Sequence, residues 1–313
     1  MGRPLGSAFF SLVLVAGLWS VGCTTSRDRP VSNMAAAREA KAELADLRAA
    51  MKKIEPFYAR MGKPARHDWL ASHTEAGQTF EEYLDSKPSK PTGQKQKIYL
   101  LPLGKFNASE EKMIGAAASF LEAFYDLSVV QMPARQLSVP QSDVRRDRTT
   151  GKKQLRSGYI LDKVLVPTLP NDAAALLAFT PDDLYLDDSL NYVFGEARLE
   201  KRVGVWSLER LDDNTDPQNY LIRTLKIAAH ETGHMFSMRH CTKYECLMSG
   251  TNNLAETDRR PVDTCPECTA KVCWISDITP AERYRKLIEV CRRTGLAAQA
   301  KEFERKLNAV ENN

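Results

Sequence analysis

Apolar and polar positions change period several times along the chain, and each change predicts an element. Ala8 to Trp19 is an almost unbroken apolar run that follows Arg3 and leads to Cys23. It is shorter than the roughly 20 residues that a membrane span requires. In residues 35–54, Leu44, Leu47, Met51 and Ile54 recur at helical spacing among Ala, Glu and Lys, so a helix with a narrow apolar stripe is expected. Residues 55–85 read as partly helical, and SKPSKPTGQK (86–95) reads as a linker. KIYLLPL (97–103) predicts a buried strand. A helix follows to about Tyr125, opened by Asn107 or Ser109 with Glu110 and Glu111 behind. LSVVQM (127–132) predicts a second strand, residues 140–156 a polar, basic loop, and SGYILDKVLVP a helix. Ala175–Phe179, Asp183–Leu186, Tyr192–Glu196 and Val203–Leu208 carry strand signals, and residues 218–236 are periodic as a helix. Pro280 after Thr279 opens a helix that Thr294–Gly295 stops, and a further helix completes a hairpin.

This order predicts an α/β (α+β) fold with a mixed sheet and a C-terminal helical part. Four segments are expected: an export signal at 1–23, a tether and helical extension at 24–95, a main domain at 96–275 and a helical hairpin at 276–313. Positive start, short apolar core, then small residues before Cys23 match a secretory signal, and Val21-Gly22-Cys23 resembles the bacterial lipoprotein pattern. Ser20 departs from that pattern, which usually has a Leu-like residue there. The expectation is an exported chain, lipid-anchored to the cell envelope through Cys23, or periplasmic or secreted. Lys+Arg and Asp+Glu nearly balance, with a formal charge of +4, so nothing electrostatic favours nucleic acid as a partner.

Metal-ligand residue types are concentrated in one place. Three of the five histidines lie between 230 and 240, and five cysteines crowd between 241 and 273. His230-Glu231-Thr232-Gly233-His234 is H-E-x-x-H on a predicted helix, where residues four apart share a face and reach one metal ion. Glu231 reaches a zinc-bound water without being a ligand, as a general base requires. His240 extends the motif to H-E-x-x-H-x-x-S-x-x-H, so the chain must turn at Ser237 to bring the third imidazole back. Gly is usual at such a turn, and a side chain there costs about 1 kcal/mol if φ is positive. Cys241, Cys246, Cys265 and Cys268 form two close pairs that suit a closed, structural zinc site, or else two disulfides. Cys273 and Cys291 are either a disulfide or two buried thiols, and His67 and His73 read as surface or packing residues.

HETGHMFSMRHCTKYECLM…CPEC closely resembles the archaemetzincins, in which a metzincin motif runs straight into a four-cysteine zinc site. DLYLDDSLNYVFGEA and ERYRKL resemble the family too, and the likeness spans about residues 96–290. Ser237 replaces the family's Gly, and the spacing from Met248 to Cys265 is one residue shorter than its pattern.

The resemblance implies a metzincin fold: a twisted mixed sheet with an antiparallel edge strand, for which Tyr192–Glu196 is the candidate, over an active-site helix. It implies a zinc metallopeptidase, aminopeptidase-like in some members, with two zinc ions per chain. One would be catalytic, on His230, His234 and His240 with Glu231 as base, and one structural, on the four cysteines. Met248 fits the Met-turn beneath the catalytic ion. The partner implied is a peptide or protein substrate. The competing reading is a non-catalytic, zinc-stabilised envelope lipoprotein in which Ser237 has spoiled the catalytic geometry. Separately, residues 24–95 are either a spacer or a regulatory cover over the cleft, with Asp68 or Glu82 as the groups that would reach the metal.

Overall fold

The computed structural model describes residues 30–312 apart from Ser89, Ser189, Leu190 and Asn214. The expected signal and Cys23 lie outside the described residues. The chain divides into two units, residues 1–44 and 45–313. The compact body therefore begins well before residue 96 and takes in the second half of the extension. Helix α1 spans Pro30–Ile54. Its stripe behaves as expected in the second unit, with Leu47 half-buried and Met51 and Ile54 buried.

Five strands form the main sheet: β1 (Lys97–Pro102), β2 (Ser128–Gln131), β5 (Ala173–Thr180), β7 (Gly195–Arg198) and β8 (Val203–Ser207). Their order is β2-β1-β5-β8-β7, parallel throughout except for β7, which runs antiparallel to β8 at the edge. β5 and β8 are buried at every residue, which is why both read as unbroken small or apolar runs rather than as alternations. Helix α2 (Ala108–Tyr125) crosses from β1 to β2 and is opened by a full capping box, Asn107 with Glu110. One face of the sheet packs on the helical stretch 157–168, whose centre, Ile160–Leu165, is a π-helix. Leu155, Ile160, Leu161 and Leu165 join Leu176, Ala178, Val203 and Val205 there.

The expected loop at 140–156 is instead a hairpin, β3 (Val144–Arg146) with β4 (Lys153–Arg156), and β4 pairs with β6 (Asp183–Tyr185) in a second, three-stranded sheet. The turn is built by Asp147, whose Oδ1 accepts from the N–H groups of Thr149 and Thr150 at 2.9 and 2.5 Å. The sheet is polar because its charges are paired: Arg210 bridges Asp147 and Asp183 at 2.7 and 2.5 Å. The edge strand also lies further along than Tyr192–Glu196. Phe194 accepts only one bond from Ser207, and regular pairing runs from Gly195 to Arg198.

The active-site helix α3 (Pro217–Met235) starts at Asp216, which caps Gln218, and packs against α2. Tyr125 fixes the two together by donating to the carbonyl of Ala229 at 2.7 Å. The C-terminal hairpin, α4 (Pro280–Arg293, with the capping box Thr279/Glu282) and α5 (Ala297–Glu311), lies against α2 as well. A buried ion cluster fastens the hairpin to the rest. Asp263 bonds Arg283 at 3.0 Å, Lys306 at 2.8 Å and the hydroxyl of Tyr58. Burial pushes the Asp263 carboxyl up, but Lys306 and Arg283 outweigh it and hold it at about 2.

Candidate metal centre

Helix α3 places His230 and His234 one turn apart on its face toward the cleft, and it ends one residue after the second. Phe236 is the C-cap, and Ser237 takes the left-handed conformation, φ 67°. Ser237 donates to the carbonyl of His234 at 2.9 Å and Met238 to that of Gly233 at 3.0 Å. This is the Schellman arrangement that ends a helix and reverses the chain. The bend is therefore made with Ser in the glycine position, and His240 comes back to the other two imidazoles.

The ligand atoms of His230, His234 and His240 all lie within 4.8 Å of one another. What each ring does with its other nitrogen decides the chemistry. His230 Nδ1 faces the carbonyl of Leu247 at 2.9 Å, and His234 Nδ1 faces that of Met238 at 2.7 Å. A carbonyl oxygen only accepts, so both Nδ1 atoms carry the hydrogen and both Nε2 atoms present lone pairs. These two Nε2 atoms stand 2.9 Å apart. Facing lone pairs at that distance repel unless a cation lies between them, so the donor set fits a metal ion. Burial, then His234 and His240, push His230 well below the usual imidazole range, and burial and His240 push His234 down to about 4. Both rings are therefore neutral at pH 7, the form that binds a metal.

Glu231 lines the same cleft and is pushed up to about 8 by burial, with Glu196 on β7 adding to it. Its carboxyl lies against Gly195, where a Cβ would come within 3.5 Å of Glu231 Cδ and 3.0 Å of the Val205 carbonyl oxygen. Met248 is fully buried. A Cβ on Gly233 would meet its Sδ at 2.7 Å, so a larger residue there would force the Met248 side chain to move. The cleft has a volume of about 280 Å³ and is lined by Phe194, Glu196, Lys226, Arg260 and the histidines, with Trp69 from the extension.

The thiols of Cys241, Cys246, Cys265 and Cys268 also lie within 4.8 Å of one another, and all four are buried. They are free thiols, as are the buried Cys273 and Cys291, so the disulfide alternatives are not what the structure holds. Cys246 Sγ accepts N–H bonds from Met248 at 3.4 Å and Cys265 at 3.2 Å. Burial pushes the Cys246 and Cys265 thiols up, while hydrogen bonds from Cys246 and then Cys265 hold Cys241 down. Four converging sulfurs with no open side fit a tetrahedral ion such as zinc.

Neither Asp68 nor Glu82 reaches the histidines. Asp68 bonds Arg259 at 2.6 Å, and Glu82 caps its own short helix, Phe80–Asp85, through Thr79. The extension instead supplies Glu75, whose two oxygens lie 2.9 and 3.0 Å from His240 Nδ1, and Trp69, which stands edge-on to His240 at 5.4 Å. Sequence reading missed both. His73 is a packing residue, stacked on Trp69 at 3.6 Å, and His67 is exposed.

Residues 171–273 match the model of Peptidase family M54. The chain is 32% identical over 271 residues to archaemetzincin-2 of Mus musculus, covering 74% of this chain and 75% of the relative. It is 32% identical over 176 residues to the archaemetzincin of Archaeoglobus fulgidus, covering 56% and 98%. The crystal structure of the archaemetzincin from Methanopyrus kandleri superposes with a TM-score of 0.50 at 28% identity, covering 59% of this chain and 97% of that one. With the metzincin motif, the converging thiols and relatives matched over most of the chain, this protein belongs to the archaemetzincins, a family of zinc metallopeptidases.

Proposed function

We propose that the chain hydrolyses peptide bonds with a zinc ion on His230, His234 and His240, Glu231 as general base, and a second, structural zinc ion on Cys241, Cys246, Cys265 and Cys268. The observation that carries this is the convergence of the three imidazoles, with the Nδ1 atoms of His230 and His234 committed to carbonyls and their Nε2 lone pairs turned to one point. A zinc ion there supplies Lewis acidity and lowers the pKa of water that it binds to about 7.

The remaining work falls to the chain. Glu231 accepts a proton at its carboxylate and returns it to the leaving amine. The exposed edge of β7 offers backbone groups along the cleft, so an extended peptide adds to the sheet as a further antiparallel strand. Phe194 and Trp69 wall the cleft and limit water around the bond that breaks. Replacing Glu231 with Gln should lower turnover of a peptide library by on the order of 10²- to 10⁴-fold while both metal ions stay bound. Turnover equal to the parent's would remove Glu231 from the mechanism.

The export reading is a separate part of the proposal. Its support is the pattern of residues 1–23, with Cys23 as the lipidated residue and a membrane surface as partner. No described helix is long and apolar enough to cross a membrane, so attachment would rest on that segment. Mass spectrometry of the mature N-terminus in a bacterial host tests it. A diacylglyceryl-Cys23 supports the anchor, and an intact Met1 contradicts it.

A further inference from the structure

His240 differs from the other two imidazoles in what holds it. The acceptors for His230 and His234 come from the motif itself and the chain just beyond it, at Leu247 and Met238. His240 follows the helix end, where no helical backbone fixes it. Its Nδ1 is met by both carboxylate oxygens of Glu75, a residue 165 positions earlier.

Glu75 is itself held in place from several sides. Two residues after it, the chain runs against Thr242, the second residue beyond His240. Gln78 Oε1 accepts from the backbone N–H of Arg239 at 3.2 Å, and Lys271 donates to the Gln78 carbonyl at 2.6 Å. The hydroxyl of Tyr83 donates to the carbonyl of Phe236, the C-cap of the active-site helix, at 2.8 Å. On the other side of Glu75, the backbone N–H of Trp69 donates to the buried carboxylate of Glu256 at 3.0 Å. Further back, Met61 donates to the carbonyl of Lys243 at 3.1 Å, and Glu245 to that of Ala59 at 2.9 Å, inside the loop between Cys241 and Cys246. Residues 59–83 are thus a strap fastened to the third-histidine loop and to the cysteine loop. A carboxylate that grips a ligand histidine by its other nitrogen fixes the ring and makes it a better donor.

We propose that Glu75 is a positioning residue for His240, and that the strap carrying it is a working part of the active site rather than a spacer. The proposal rests on the reading that the three imidazoles hold a metal ion. Glu75 keeps the hydrogen on His240 Nδ1, so Nε2 turns to the shared point, and its negative charge offsets part of the ion's.

The test uses the full chain as parent, Glu75→Ala and Glu75→Gln, each loaded with zinc. Retention is measured by competition with a chromogenic chelator, and thermal unfolding shows that each variant folds. Glu75→Ala should release the ion of the histidine site about 10- to 100-fold more readily, with the four-cysteine ion unchanged as internal control. Glu75→Gln, which keeps an acceptor but not the charge, should fall between the two. Equal retention by parent and Glu75→Ala would overturn the role of Glu75 alone. A parent that holds no chelator-sensitive ion on its histidines would overturn the underlying metal reading and this proposal with it.

Discussion

The two ligand clusters meet at the bond between His240 and Cys241, yet they are built in opposite ways. The histidines are half-buried and open onto a cleft, whereas the cysteines are 0–5% exposed and closed on every side. The open set leaves room for a substrate, and the closed set does not. The clusters also share a backbone. The carbonyl of Leu247 accepts from His230, that of Met248 accepts from the Cys241 N–H at 2.8 Å, and the N–H of Leu247 donates to the backbone carbonyl of Asp263 at 3.0 Å. The histidine site is therefore laid on a loop that the cysteine site pins. The dependence runs one way: losing the cysteine cluster should unsettle the histidines, and losing a histidine should leave the cysteines intact.

The largest expected effect breaks that asymmetry directly. Structural zinc sites supply on the order of 10 kcal/mol of folding free energy in small domains. Replacing Cys265 and Cys268 together with Ala should therefore cost several kcal/mol, release both ions, and appear as a large drop in the thermal midpoint. His234→Ala should leave that midpoint nearly unchanged. If the cysteine variant kept a normal histidine site, the loop would not be the link between them. A smaller effect sharpens the comparison at the turn. Ser237 holds φ 67°, a conformation that costs a non-glycine residue about 1 kcal/mol, so Ser237→Gly should raise stability by roughly that amount, read in denaturant unfolding. A loss of stability on that change would mean that the serine side chain contributes more than the strain removes.

Much of this was legible along the chain because the information is local. The helix of H-E-x-x-H, the return of His240, the cysteine pairs and the capped starts at Asn107 and Thr279 all depend on residues within a few positions of one another. What escaped depends on distant pairing. The 140–156 hairpin has no apolar alternation, because its charges find partners in Arg210, Asp182 and Asp188, and only the turn chemistry of Asp147 marks it. The edge strand was placed early because the aromatic residues Tyr192 and Phe194 look like strand, whereas pairing with β8 begins at Gly195. Glu75 carries no periodic or motif signal at all. It is an acidic residue in an irregular stretch, and only the folded chain brings it to His240. Asp68 and Glu82 looked equally eligible and are occupied elsewhere, by Arg259 and by Thr79.

The most direct test of the whole account is the number of zinc ions per chain in the purified protein, weighed intact by native mass spectrometry. Two ions in the parent, with one remaining in His234→Ala, is the result predicted. A parent with a single ion that survives in His234→Ala would contradict it, because the three converging imidazoles would then hold no metal and the hydrolytic mechanism would have no centre.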